Sequence, residues 1–129
     1  MKVGNFGVLY HSTNASDHRF LEILENWLDE FLDYSKLNIL TGDFNINWRD
    51  NTNSNHLKRL VESFNLKQSV DEYTRISQRS RTLIDHVYSN LNSICSVTDS
   101  DMKITDHETL VITVLDNLNE KIDFKKLKC

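Results

Sequence analysis

Three short stretches concentrate side chains able to do chemistry. The first is Gly42-Asp43-Phe44-Asn45, directly after the apolar run at residues 37–41. Side chains two residues apart point the same way on extended chain. Groups placed past the end of a strand can share one ligand in the crevice of an α/β sheet. Carboxylate and amide oxygens suit a hard cation, a water or a phosphate oxygen. A plain strand-to-loop turn, with Gly42 supplying backbone freedom and Asp43 capping, accounts for the same residues without chemistry. The second stretch, Leu83-Ile84-Asp85-His86, sets an acid among apolar neighbours. A buried unpaired carboxylate is costly, so Asp85 either finds a partner or lies on the polar face of an edge strand. The third, Thr105-Asp106-His107, puts acid beside imidazole. One can touch a metal or water while the other moves a proton; the alternative is a solvated loop pair. All three are predicted at loop or strand ends, where functional groups gather.

The elements that must position these groups follow from hydrophobic spacing. Residues 4–10 (GNFGVLY, with Phe6, Val8, Leu9 and Tyr10) are β-prone. Residues 12–17 form a polar loop in which Ser16 or Asp17 can cap a helix. From His18 to Tyr34, Phe20, Leu21, Ile23, Leu24, Trp27, Leu28, Phe31 and Leu32 recur at spacings of three and four, which predicts one apolar helical face. Residues 37–41 predict a buried strand. Leu57, Leu60, Val61 and Phe64 predict a second helix after the polar tract at 51–55. Strands are expected at 67–70, 83–88, 94–98 and 110–115, a polar basic loop at 75–81, and a Lys-rich tail with a weak helical pattern at 121–129. The order β, α, β, α and then mostly β predicts a mixed α/β layered fold. With so few strands, one sheet edge is expected to lack a neighbour.

Composition narrows the function classes. The chain has 129 residues, 39% hydrophobic and 26% charged, which is one ordinary globular domain. Fifteen Lys and Arg against nineteen Asp and Glu give a net charge of −4. That excludes a broad basic surface as the means of gripping nucleic acid, though not a local basic patch. No apolar run reaches the roughly 20 residues that span a bilayer, and the first ten residues do not match a secretory signal. Cys95 and Cys129 are too few for a disulfide framework. An intracellular protein that does not enter membranes is expected.

Taken together, GDFNINW, YTR, TLIDHVYSN and ITDH, in that order and ahead of an apolar strand, resemble the endonuclease/exonuclease/phosphatase family. The nearest likeness is to the apurinic-type endonuclease domain of non-LTR retrotransposons. The resemblance covers Phe6 to Leu115. It implies the DNase I-like fold, a four-layer α/β/β/α sandwich, and metal-dependent phosphodiester hydrolysis with Mg²⁺ or Mn²⁺ on DNA. It implies a nuclear location if the substrate is genomic DNA, and a reverse transcriptase domain as a neighbour in a longer polyprotein.

Carried over by position, the resemblance gives each residue a role. Asp43 looks like the aspartate that orients or activates the attacking water, and a metal contact. Asn45 looks like the amide that holds the scissile phosphate. His107 looks like the histidine that steadies the transition state, and Asp85 like the carboxylate that orients it. Asp106 looks like the acid linked to metal or water, and Tyr10 like the family's active-site tyrosine. Thr74 and Arg75 match a segment near the DNA backbone, and Thr105 stands where the family has a serine beside the phosphate. Arg75, Arg79 and Arg81 are candidate phosphate contacts or a solvated loop.

The sequence departs from the pattern in two places. His11 stands where the family usually has a proline after its tyrosine. The family's N-terminal asparagine and metal-binding glutamate have no counterpart here. Residues 1–116 therefore resemble the C-terminal part of the domain, the N-terminal half missing, and residues 117–129 a charged tail or linker. Such a truncated fragment is expected to be weakly active or inactive alone and to leave apolar strand faces uncovered. Two other functions remain open: a non-catalytic retroelement remnant, and a phosphatase or phosphodiesterase of the same superfamily acting on small phosphate esters.

Overall fold

A computed structural model describes residues 3–90, 93–98, 106–114 and 121–128 of the chain. Strand β1 (Val3–Tyr10) leads through helix α1 (Asp17–Phe31) into β2 (Asn38–Asp43), which lies parallel to β1. Helix α2 (Asn51–Ser63) follows, then β3 (Lys67–Gln68), β4 (Arg75–Ile76), β5 (Arg81–Thr82), β6 (Asp85–Ser89), β7 (Ser93–Thr98), β8 (Thr109–Val114) and β9 (Lys121–Lys128). The main sheet has the order β3-β6-β2-β1-β9, while β4-β5 and β7-β8 form two antiparallel pairs. This is the mixed α/β architecture expected from the sequence. No helix among the described residues is long and apolar enough to cross a membrane.

Both helices begin where a side chain satisfies their first free N–H groups. Ser16 Oγ accepts from the Arg19 N–H at 3.2 Å. Asp50 does the same for Thr52 and Asn53, so the polar tract at 51–55 lies inside α2 rather than ahead of it. The buried face of α1 is Phe20, Leu21, Leu24, Leu28 and Phe31, the spacing of the sequence pattern. These residues join Leu57, Leu60 and Val61 of α2 over Leu9, Leu40 and Tyr88 of the sheet. The two helices thus cover one sheet face. Each fully buried Leu or Phe contributes roughly 1.5–3 kcal/mol. The opposite face carries a smaller cluster of Leu37, Ile39, Val70, Leu83 and Val87, against which Phe6 and Leu110 of β8 pack.

Two segments differ from expectation. Residues 121–128 form a strand, not a helix, and pair in parallel with β1 from Val3↔Lys121 to Tyr10↔Lys128. The outer edge of β1 carries a row of unpaired backbone groups that a neighbouring strand satisfies. The alternation in Lys121-Ile122-Asp123-Phe124-Lys125 has the period of two that suits that pairing. The edge of β1 is therefore occupied by β9. Within 75–81, expected as a loop, Arg75 and Ile76 pair with Thr82 and Arg81. A ladder of two residue pairs is too short to leave a periodic signature in a polar sequence.

Candidate active site

The parallel strands β1 and β2 end side by side, with Tyr10 and Asp43 as their last paired residues. The carboxyl ends of parallel strands open a crevice in α/β sheets. Gly42 makes the approach possible: its φ is +153°, and a Cβ there would lie 1.8 Å from the Leu9 carbonyl oxygen. Asp43 also pairs with Asp85, the first residue of antiparallel β6. His107 arrives from a different part of the chain, through an isolated bridge to Arg75 at the start of β4.

These elements bring Asp43, Asp85 and His107 together, their candidate ligand atoms all within 4.8 Å of one another. His107 Nδ1 lies 2.8 Å from Asp85 Oδ2, and Nε2 lies 3.8 Å from Asp43 Oδ2. The carboxylate accepts, so Nδ1 carries the hydrogen and Nε2 is directed toward Asp43. Burial raises the Asp43 carboxyl above its ordinary range. The Asn45 N–H opposes this by donating to Asp43 Oδ1 at 3.0 Å, the charge of Asp85 adds to the rise, and His107 and Arg75 reduce it.

Arg75 and Asp106 form the outer rim. Arg75 Nε donates to Asp106 Oδ2 at 2.7 Å, and Asp106 Oδ1 is 3.9 Å from His107 Nε2. The Arg75 hydrogen bond holds the Asp106 carboxyl below the usual range. Asn45 sits at φ +47°, a left-handed conformation that asparagine tolerates better than most residues. Its Nδ2 donates to the His11 carbonyl at 2.6 Å. Tyr10 is 49% exposed at the strand end beside Asp43. Thr105 lies outside the described residues.

Thr74 departs from its expected place. It is fully buried and so is closed to a DNA backbone. Its Oγ1 instead accepts from the Ile84 N–H at 3.2 Å and the Asp85 N–H at 3.0 Å. Its carbonyl accepts from the Glu108 N–H at 2.6 Å, and Asp106 O accepts from the Ile76 N–H at 3.0 Å. Thr74 therefore ties the strand that starts at Asp85 to the backbone just after His107. The resemblance drew notice to Thr74, but a buried acceptor and an exposed phosphate contact look alike in sequence. His86, the neighbour of Asp85, turns into the core. Its Nε2 donates to Leu83 O at 3.0 Å and its Nδ1 accepts from the Tyr88 hydroxyl at 2.9 Å.

The donor set of carboxylate oxygens and imidazole fits a divalent cation. An imidazole oriented by one carboxylate and facing a second fits general acid–base or electrostatic work on a phosphate. No protein-family model matches the chain, and no curated protein matches it. Among solved structures, an endonuclease/exonuclease/phosphatase family protein from Leptotrichia buccalis C-1013-b superposes with a TM-score of 0.58 at 16% identity. The match covers 85% of this chain and 49% of that one, so the chain spans about half the length of the protein it matches. Over that span, this chain has the fold of an endonuclease/exonuclease/phosphatase family protein.

Proposed function

We propose that the chain carries part of a phosphodiester-hydrolysing site of the endonuclease/exonuclease/phosphatase type, specialised as a DNA endonuclease of the non-LTR retrotransposon kind. The observation that supports this most is the placement of His107 between Asp85 and Asp43. Hydrolysis of a phosphodiester adds negative charge to phosphate oxygens in the transition state. On this reading, Asp85 fixes the ring of His107, and Nε2 faces the phosphate. Asp43 orients the attacking water. An amide nitrogen carries two N–H groups; the bond to His11 O uses one and directs the other, which would meet a phosphate oxygen. Tyr10 and Arg75 line the approach.

A Mg²⁺ or Mn²⁺ ion would be held by the carboxylate of Asp43, with Asp106 as the second acid. When bound, it supplies positive charge to a phosphate oxygen. We further propose that this chain is the C-terminal part of a longer domain, that its partner is DNA, and that a reverse transcriptase domain accompanies it in a nuclear polyprotein. The test is nicking of supercoiled plasmid by the chain, alone and joined to its in-frame upstream sequence, with and without Mg²⁺. Mg²⁺-dependent nicking that disappears in Asp43→Ala and His107→Ala is expected. Nicking that survives both substitutions, or turnover of small phosphate esters without DNA cleavage, overturns the reading.

A further inference from the structure

His11 is 1% exposed and stands outside the Asp43-Asp85-His107 group, yet its bonds converge on the turn that carries Asp43 and Asn45. Its backbone N–H donates to Asp43 O at 2.9 Å. Its Nδ1 donates to Phe44 O at 2.7 Å. Its own carbonyl accepts from Asn45 Nδ2 at 2.6 Å. One residue thus bonds three consecutive residues of the turn. The ring is itself immobilised, stacked on Phe20 at 4.1 Å with planes 8° apart, with Nε2 3.2 Å from Ala15 O and 3.7 Å from Asp17 Oδ1.

The peptide between Phe44 and Asn45 is the critical unit. Its carbonyl is held by His11 Nδ1, and its N–H is held by Asp43 Oδ1. The plane is clamped from both ends, which keeps Asn45 at φ +47°. A non-glycine residue in that region stores strain and persists only while its surroundings over-determine it. Removing the imidazole leaves the buried Phe44 carbonyl without this donor. Rotation of the peptide then relieves Asn45, re-aims its amide, and removes the N–H from Asp43.

We propose that His11 is a positioning residue that, through its Nδ1–H bond to Phe44 O, locks the 43–45 turn in the conformation that presents Asp43 and Asn45 to a phosphate. The presentation to phosphate rests on the function proposed above; the locking of the turn does not. The test compares His11→Leu, which fills the space without a donor, with His11→Asn, whose amide nitrogen can occupy the place of Nδ1. The first readout is amide exchange and the ¹H–¹⁵N shift of Asn45 in the full chain, with α1 amides as the reference for the fold. The second is plasmid nicking.

His11→Leu is expected to lower Asn45 amide protection at least tenfold while α1 amides keep theirs, and His11→Asn to restore most of it. In nicking, His11→Leu lowers kcat with KM nearly unchanged, and His11→Asn recovers kcat. Unchanged Asn45 protection in His11→Leu overturns the proposal, as does a folded His11→Asn that behaves no better than His11→Leu. If His11→Leu does not fold, His11→Asn decides alone: wild-type Asn45 protection supports the lock, and its loss in a folded protein overturns it. Absence of nicking by the wild type both alone and joined to its upstream sequence counts against the proposed function and leaves the exchange result standing.

Discussion

Asp85 and His107, 22 positions apart in the chain, meet through a 2.8 Å bond between Oδ2 and Nδ1. The bond orients the ring so that Nε2 faces Asp43. Replacing Asp85 by Asn keeps the shape and removes the charge. It also allows an N–H to face Nδ1, which favours the opposite tautomer. Nicking by Asp85→Asn is expected to fall about 10²–10⁴-fold, the range for loss of positioned acid–base catalysis. Single-turnover rates check this, and ¹⁵N spectra of the His107 ring should show the tautomer change.

Thr74 is buried and reaches the site only through backbone groups. Thr74→Val keeps the volume and removes the acceptor for the buried Ile84 N–H and the partly buried Asp85 N–H. A loss of about 1–3 kcal/mol in unfolding free energy is expected, measured in urea. Nicking should fall as well, because the donor released is that of Asp85. Thr74→Ser, which retains the hydroxyl, should recover both properties.

Gly42→Ala tests the close approach of β1 and β2. The added Cβ would lie 1.8 Å from Leu9 O at a φ of +153°. The strands must separate or the turn must shift, so destabilisation of at least about 3 kcal/mol is expected. A variant that melts with the wild type would contradict the tight pairing at Leu9↔Gly42.

His86 sets a pH dependence of stability. Burial depresses its pKa from 6.5 to about 4, with hydrogen bonds to backbone only partly opposing the fall. The folded state prefers the neutral ring, so the unfolded chain binds the proton first as pH drops. The stability is fully present above about pH 6.5 and falls between 6.5 and 4, by about 3 kcal/mol in total. Urea titrations at several pH values should show that slope, and His86→Gln should flatten it.

The Arg75–Asp106 pair is exposed, with side chains 47% and 38% accessible. Exposed pairs of this kind are screened by solvent and contribute little to stability. Arg75→Gln should therefore leave the melting transition nearly unchanged. If Arg75 meets DNA phosphate as proposed, the same variant binds and nicks DNA less well, with a shallower dependence on salt.

The two helices were legible in the sequence because local forces shape them. Residues at spacings of three and four between Phe20 and Phe31 must bury one face, and Ser16 could cap the first turn from its own side chain. The strand at 38–43 was visible as the apolar run at 37–41 and that at 85–89 as the alternation of apolar and polar residues at 83–88, and the acids in them marked where chemistry could gather. Pairing was not legible. Lys121–Lys128 becomes a strand because β1 presents an unpaired edge to it, a demand that arises elsewhere in the chain. Thr74 and His11 carry the same lesson at the level of single atoms. A hydroxyl facing Asp85 N–H and an imidazole facing Phe44 O are fixed by what lies opposite them after folding. Residue type alone determined that Asp43, Asp85 and His107 had the means to hold a cation or water and to move a proton. Their meeting within 4.8 Å was decided by sheet register and by one bridge from Arg75 to His107, because distance between side chains is a property of packing and not of spacing along the chain.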